Sequence, residues 1–317
     1  MDVSILVPVH NDQQHLEASL AATLGQQTRL SFEVIAIDDG SIDDCPQILQ
    51  RIAATEPQLQ VISKQAGGEA GALNAGLEQA RGKLVAILEA DVEAEPDWLE
   101  ATAAALDDPQ VIGAGGVLLT PRKDSWIARI AGYEVEYRQD QVQRFVPHIT
   151  SANALYRREA FQIVGRFNEQ LVNSCLDVDF NQRLTAAGYK LAFVRQARVR
   201  HHYKGSFLDY LKRQYAYARF RPFLRNLHLY KRDVWISLQL VLTLATLAAL
   251  VLAWITPWPF VGLLIATLLS SVPPAIRVFA KHRDPVLLVF PLVMPARNVA
   301  GLLGLARGYW ARWWSSD

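Results

Sequence analysis

Cysteine is scarce in this 317-residue chain, and the two present, Cys45 and Cys175, lie far apart with no second thiol nearby. That usage excludes a disulfide framework and a thiolate zinc site, and it fits a reducing compartment. Also missing is a basic leader with a small-residue cleavage site. Met1-Asp2 runs straight into Val3-Ser4-Ile5-Leu6-Val7-Pro8-Val9, so no signal peptide is expected and the first domain is expected to face the cytoplasm. No Gly-rich loop carrying Lys or Arg, of the kind that cradles a triphosphate, stands near the start. Net charge is small too, at +1, but it sums opposing regions: acids crowd the first half, and basic residues crowd a stretch ahead of an apolar C-terminal part.

What is present reads first as an α/β domain. From Val3 to about Leu88, short β-branched runs alternate with helical stretches, the pattern of a doubly wound sheet with crossover helices. Strands are expected at Val3–Val9, Glu33–Ile37, Leu59–Ser63 and Leu84–Leu88, and helices around Asp12–Gln26, Asp44–Ala54 and Glu69–Gln79. Pro96 suits the first turn of a further helix. The length suggests two domains, set here at 1–203 for the α/β part, 204–233 for a basic juxtamembrane segment and 234–317 for a membrane domain.

The C-terminal third differs in kind. Val234 to Thr256 and Phe260 to Ala280 each approach the length that crosses a hydrocarbon core, and they read as a helical hairpin. Between Arg195 and Arg232 the chain places eleven Lys or Arg against the single acid Asp209, with Tyr203, Phe207, Tyr210, Tyr215, Tyr217 and Phe220 interleaved. Beside apolar spans, such a strip reads as attraction to anionic headgroups or a diphosphate, in preference to nucleic acid. Lys231-Arg232 before the first span and Arg277, Lys281 and Arg283 after the second put both outer ends on the cytoplasmic side of an inner membrane, giving a multi-pass topology. The stretch 286–314, broken by Pro291, Pro295 and Arg297 and ending in a Trp cluster, reads as interfacial or re-entrant.

In doubly wound sheets, ligands bind at the carboxyl ends of the strands, and two acidic motifs fall there. Asp38-Asp39-Gly40-Ser41 offers carboxylates to a nucleobase or ribose, or makes a turn. Glu89-Ala90-Asp91 offers oxygen to a hard divalent cation bridging phosphates, or caps a helix. Asp177 and Asp179 open a helix, where the macrodipole favours acids in any case.

Taken in order, Val3-Ser4-Ile5-Leu6-Val7-Pro8-Val9-His10-Asn11, Ile37-Asp38-Asp39-Gly40-Ser41, Ala72-Leu73-Asn74-Ala75-Gly76-Leu77, Leu88-Glu89-Ala90-Asp91 and the run Leu176-Asp177-Val178-Asp179-Phe180-Asn181-Gln182-Arg183-Leu184 resemble the family 2 inverting glycosyltransferases with the GT-A (Rossmann-like) fold. The resemblance covers about Val3 to Tyr203, and the basic strip and hairpin are similar to membrane-bound members acting on polysaccharides or lipids. It implies a nucleotide-diphosphate sugar donor, a divalent metal (Mg or Mn) and a lipid or lipid-linked glycan acceptor. By position it assigns Pro8, Asp38, Asp39, Asn74, Glu89 and Asp91 to the donor side, Asp91 to the metal, and Asp177 to the catalytic base. His201 matches a histidine that some relatives place near the diphosphate.

This sequence departs from the pattern at three places. The usual Asp-x-Asp is Glu89-Ala90-Asp91, the acid usual before the base is Leu176, and Gln214-Tyr215-Ala216-Tyr217-Ala218 replaces the Gln-x-x-Arg-Trp of processive synthases, so a single-addition enzyme is expected. A nucleotidyltransferase and an inactive membrane scaffold are the competing expectations.

Overall fold

The computed structural model describes residues 1–171, 175–223 and 234–314, and the chain divides into two compact units. Met1–Pro121 and Gln139–His202 form the first; Arg122–Arg138 and Tyr203–Asp317 form the second.

The first unit is built on one mixed sheet. Its strands are β1 (Val3–Val9), β2 (Phe32–Asp39), β3 (Leu59–Lys64), β4 (Leu84–Ile87), β5 (Val92–Ala94), β6 (Val111–Leu119), β7 (Phe145–Val146), β8 (Ala154–Arg157) and β9 (Lys190–His201). They lie in the order β3-β2-β1-β4-β8-β6-β9-β5, with β7 beside β9. Around them sit α1 (Gln13–Leu24), α2 (Cys45–Ala53), α3 (Glu69–Gln79), α4 (Trp98–Ala104), α6 (Glu159–Ile163) and α7 (Leu176–Ala186), with α5 (Trp126–Gln139) falling almost wholly in the second unit. The first four strands and three helices match the sequence reading closely. The sheet is not wholly parallel, because β8 runs antiparallel to both β4 and β6, and β5 antiparallel to β9.

Pro8 shows how the sheet opens its cleft. A proline in a central strand removes a ladder donor, yet β1 lies between β2 and β4. Pairing with β4 ends at Leu6↔Ile87, and the Leu6 carbonyl accepts the Leu88 amide at 3.1 Å. Residue 8 turns to the same side as residue 6, so the missing donor of Pro8 falls where β4 has already peeled away. On the other side Pro8 stays in register with Ile37. One face of the sheet carries an apolar core, with Leu6, Ile35, Ile37, Leu73, Val85, Tyr156, Phe180 and Leu191 buried together.

A buried carboxylate ties β1 and β2 to the segment that leads into β4. Glu33 accepts from Ser4 Oγ (2.7 Å), the Arg81 amide (2.9 Å) and Arg81 Nε (2.8 Å). Burial raises its carboxyl pKa, but these donors outweigh it and hold the group below its ordinary value of 4.5. The contribution to stability is therefore present above that value and lost as pH falls through the lower folded-state pKa. Glu33→Gln should cost about 1–3 kcal/mol in denaturant unfolding, and the gap to wild type should close as the pH is lowered below 4.5.

The second unit collects α5 with α8 (Phe207–Phe220), α9 (Val234–Leu252), α10 (Trp258–Ser270), α11 (Val272–His282) and α12 (Phe290–Trp314). Sequence reading put α5 inside the first domain. Its buried Ile127, Ile130 and Tyr133 instead pack with Tyr210, Val278, Phe290 and Met294. Among the described residues, one helical stretch, Trp258–His282, is long and apolar enough to cross a membrane, and Leu238–Leu252 is apolar but shorter. The expected two-span, multi-pass reading is therefore not supported. Lys231 and Arg232, on which the expected orientation leaned, lie outside the described residues, as does Arg225 of the basic strip. The stretch expected to be broken at Pro295 is one helix of 25 residues, α12.

Helices α8 and α12 pack at backbone distance. A Cβ on Gly304 would collide with the Tyr215 carbonyl, and one on Gly308 with that of Arg219. Gly304→Leu should force the helices apart at about 1–3 kcal/mol, read as faster amide exchange in α8.

Candidate active site

At the carboxyl end of β2 the two aspartates take different tasks. Asp39 is buried and fully engaged: Oδ1 accepts from Lys64 Nζ (2.6 Å) and the Gly67 amide (2.9 Å), and Oδ2 from the Gly68 amide (2.7 Å). It thereby fixes the loop 64–68 that leads into α3. Gly40 belongs to the same arrangement, with φ of +70° and Ala66 packed where a Cβ would sit. Asp38 Oδ1 accepts from the Ser41 amide (3.0 Å). Asn74, on α3, holds the backbone of Phe167 through both its amide nitrogen (3.0 Å) and oxygen (3.1 Å), so it shapes the segment after α6. Just before α2, Asp43 accepts the Cys45 amide at 3.1 Å.

The acid triplet after β4 meets the end of β9. His201 Nε2 lies 3.4 Å from Asp91 Oδ1 and 3.7 Å from Glu89 Oε2, and one ligand atom from each of the three lies within 4.8 Å of the others. The neighbouring His202 donates its backbone amide to the Asp91 carbonyl (2.9 Å), pairs its ring with Glu93 (2.9 Å) and stacks on His15.

Asp177 starts α7, where Oδ1 accepts the Val178 amide at 2.8 Å and Oδ2 faces His148 Nε2 at 3.0 Å. Asp179, two residues on, is committed to Arg183 at 2.9 Å. The loop bearing His148 is held from α7 itself, since Asn181 donates to the Ile149 carbonyl at 2.7 Å. Ser151 then joins the two halves. Its hydroxyl donates to Glu89 Oε1 (2.7 Å), and its backbone supports Asp177. Asn153 anchors that turn by accepting from Trp98 Nε1 at 2.7 Å.

These acids share one field. Burial pushes the Glu69 carboxyl well up, reinforced by the charges of Glu89 and Asp177, and burial likewise raises Glu89. Asp91 and Asp177 are held below the ordinary range: burial opposes this, but His201 in one case and His148 in the other outweigh it. Sequence reading missed Glu69, His148, Ser151 and Lys64. Glu69 stands three residues before the Ala72 motif as an ordinary first-turn acid, and nothing local marks the others.

The description of glycosyl transferase family 2 matches residues 4–165, just over half of the chain. This chain belongs to glycosyl transferase family 2. Glycosyltransferase AglE of Haloferax volcanii is 26% identical over 218 residues, 67% of this chain and 70% of that protein. The pre-mycofactocin glycosyltransferase of Mycobacterium tuberculosis is 29% identical over 230 residues, covering 68% of this chain and 46% of that one. An undecaprenyl-phosphate 4-deoxy-4-formamido-L-arabinose transferase of Pseudomonas syringae is 40% identical over 142 residues, 42% of each. The chain thus spans less than half the length of the last two. Among solved structures, the mannosyltransferase PcManGT from Pyrobaculum calidifontis, in complex with GDP-Man and Mn2+, aligns with a TM-score of 0.60 at 20% identity over 98% of this chain and 87% of that one. The family 2 domain has the GT-A fold, and the chain is a glycosyltransferase.

Because His148 is what offsets burial at Asp177, His148→Ala should raise the Asp177 carboxyl pKa. A carboxyl-carbon NMR titration checks this; an unmoved pKa would mean the histidine does not set that charge.

Proposed function

We propose that this glycosyltransferase moves a sugar from a nucleoside-diphosphate donor to a lipid-linked acceptor with inversion at the anomeric carbon, one sugar per encounter. The observation that carries the reading is the arrangement around Ser151, which links Asp177 with His148 to the Glu89, Asp91 and His201 cluster within one unit. Names of relatives agree in direction, since the Pseudomonas protein is an undecaprenyl-phosphate sugar transferase. The PcManGT structure holds GDP-Man and Mn2+.

In this reading Pro8, Asp38, Asp39 and Asn74 belong to the nucleotide side. Pro8 leaves the strand edge open, Asp39 and Asn74 preset the surrounding loops, and Asp38 retains one carboxylate oxygen for a ribose or base donor. Two carboxylates and an imidazole suit a hard or borderline divalent ion, and Glu89, raised by burial, fits a site completed by positive charge. Glu89, Asp91 and His201 would hold such an ion, which when bound neutralises charge on the departing diphosphate.

Asp177 supplies the base. Its carboxyl is ionised at neutral pH, and the Val178 amide and His148 fix its direction, so it is ready to accept the acceptor's hydroxyl proton. As the acceptor oxygen bonds to the anomeric carbon, the bond from that carbon to the diphosphate oxygen breaks, and the nucleoside diphosphate departs with the electron pair. A single displacement inverts the centre and needs no covalent sugar intermediate. The apolar helices of the second unit, and a relative named as an undecaprenyl-phosphate transferase, support chemistry at a membrane surface.

Asp177→Asn should lower kcat about 10²–10⁴-fold with an unchanged melting transition. Proton NMR of the first product formed should give the anomer opposite to the donor's. A retained anomer would sink the displacement scheme, and full activity in the Asn variant would remove Asp177 from the base role. Release of pyrophosphate in place of a nucleoside diphosphate would favour nucleotidyl transfer.

A further inference from the structure

We infer that the α9–α10 hairpin enters one leaflet of a bilayer and stops near its midplane instead of crossing it. This rests on the membrane reading above and fixes the depth of insertion.

Three acid-centred clusters form around α5 within the second unit. Glu134 meets Arg297 at 2.5 Å and accepts from the Tyr210 hydroxyl at 3.1 Å. Glu136 meets His282 at 3.1 Å and Lys281 at 3.7 Å. Asp284 accepts from Arg129 Nη1 and from the Tyr133 hydroxyl, both at 2.8 Å. Together these join α5 to α8, α11, α12 and the turn after α11 in a charged layer. Moving such groups to hydrocarbon depth is costly, so the layer marks the limit of insertion.

The hairpin can be measured from that layer. Asn298, next to Arg297, donates to Thr243 Oγ1 at 3.1 Å, which places the layer beside Thr243 on α9. From Leu244 to Ile276 the sequence holds no Asp, Glu, Lys, Arg or His. Thr243 to Leu252 is nine residues, about 14 Å at a helical rise of about 1.5 Å per residue. Returning from the tip, α10 has 13 residues, or about 20 Å. A hydrocarbon core is about 30 Å thick, so the two arms reach about half and about two-thirds of it, and the hairpin falls short of the far side.

The long apolar stretch Trp258–His282 overstates this reach because its second half is already committed. In α11, Ala275 and Val278 lie in the apolar cluster with Tyr133 and Phe290, and the Arg277 guanidinium covers the Tyr137 ring. The exposed faces agree with insertion of the rest. Val241, Leu244, Leu250, Val251 and Ile265 are exposed on α9 and α10, and Trp254 at the tip is 97% exposed. Between α9 and α10 the buried threonines pair with each other, Thr246 with Thr267 at 2.9 Å, as a hairpin in hydrocarbon requires. On α12, exposed Trp310 and Trp313 beside Arg307 and Arg312 have the aromatic and cationic character of a headgroup anchor.

The test uses the full chain carrying Cys175→Ser, with Cys45 kept, because burial pushes its thiol up to about 12 and out of reaction. Thr256→Cys, or Ile255→Cys as a second tip variant, is added to preformed sealed vesicles of phosphatidylcholine and phosphatidylglycerol. Labelling by a membrane-impermeant maleimide should be lost on vesicle binding, whether the reagent is outside or trapped in the lumen. A fluorophore attached at the tip beforehand should be quenched most by lipids brominated near the chain ends. Labelling from the lumen would show a full crossing, and undiminished labelling from outside on bound protein would show no insertion; either overturns the inference. Failure to co-sediment with vesicles would instead remove the membrane reading beneath it.

Discussion

Repulsion among buried carboxylates is the constraint around which the first unit is arranged. Glu69, Glu89, Asp91 and Asp177 share one field, and in a medium of low effective dielectric like charges at such range are costly. The fold answers with two histidines, one per half of the site, and with Ser151 between them. His201 and His148 keep Asp91 and Asp177 ionised, while Glu69 and Glu89 are pushed toward their neutral forms. Two acids of each kind in one cleft is the separation of roles that acid–base chemistry needs.

Much of this was legible in the chain and some was not, for reasons of range. β1 was read end to end, and α3 likewise, because period and punctuation are local signals. The acidic motifs were placed at strand ends for the same reason. The antiparallel β8, four residues long, is buried and carries no alternation to mark it. His148 reaches Asp177 across 29 positions and Ser151 reaches Glu89 across 62, so only the folded chain brings them together. Asp38 and Asp39 look equivalent as a pair, yet pairing with Lys64 and two glycine amides separates them.

In the second unit, length and hydropathy gave the apolar segments but not their use. α5 carries Glu134 and Glu136 on a helix whose sequence neighbours belong to the sheet domain, and only packing reveals that these acids meet Arg297 and His282. Hydropathy counts residues along a helix and is blind to which of them are already occupied by a neighbour. The two glycines on α12 are similar: they read as mild helix weakeners, and they serve as contact surfaces for the α8 backbone.

The Asp39 clasp on Gly67 and Gly68 has a consequence for how donor choice can change. Because one carboxylate at the end of β2 orders the loop into α3, the conformational entropy of that loop is spent during folding, before any ligand arrives. A substitution there changes the shape of the whole rim along with one contact. A change at this end of the sheet that leaves the loop standing is therefore reached more readily through Asp38, which holds the Ser41 amide, than through the aspartate that holds the loop.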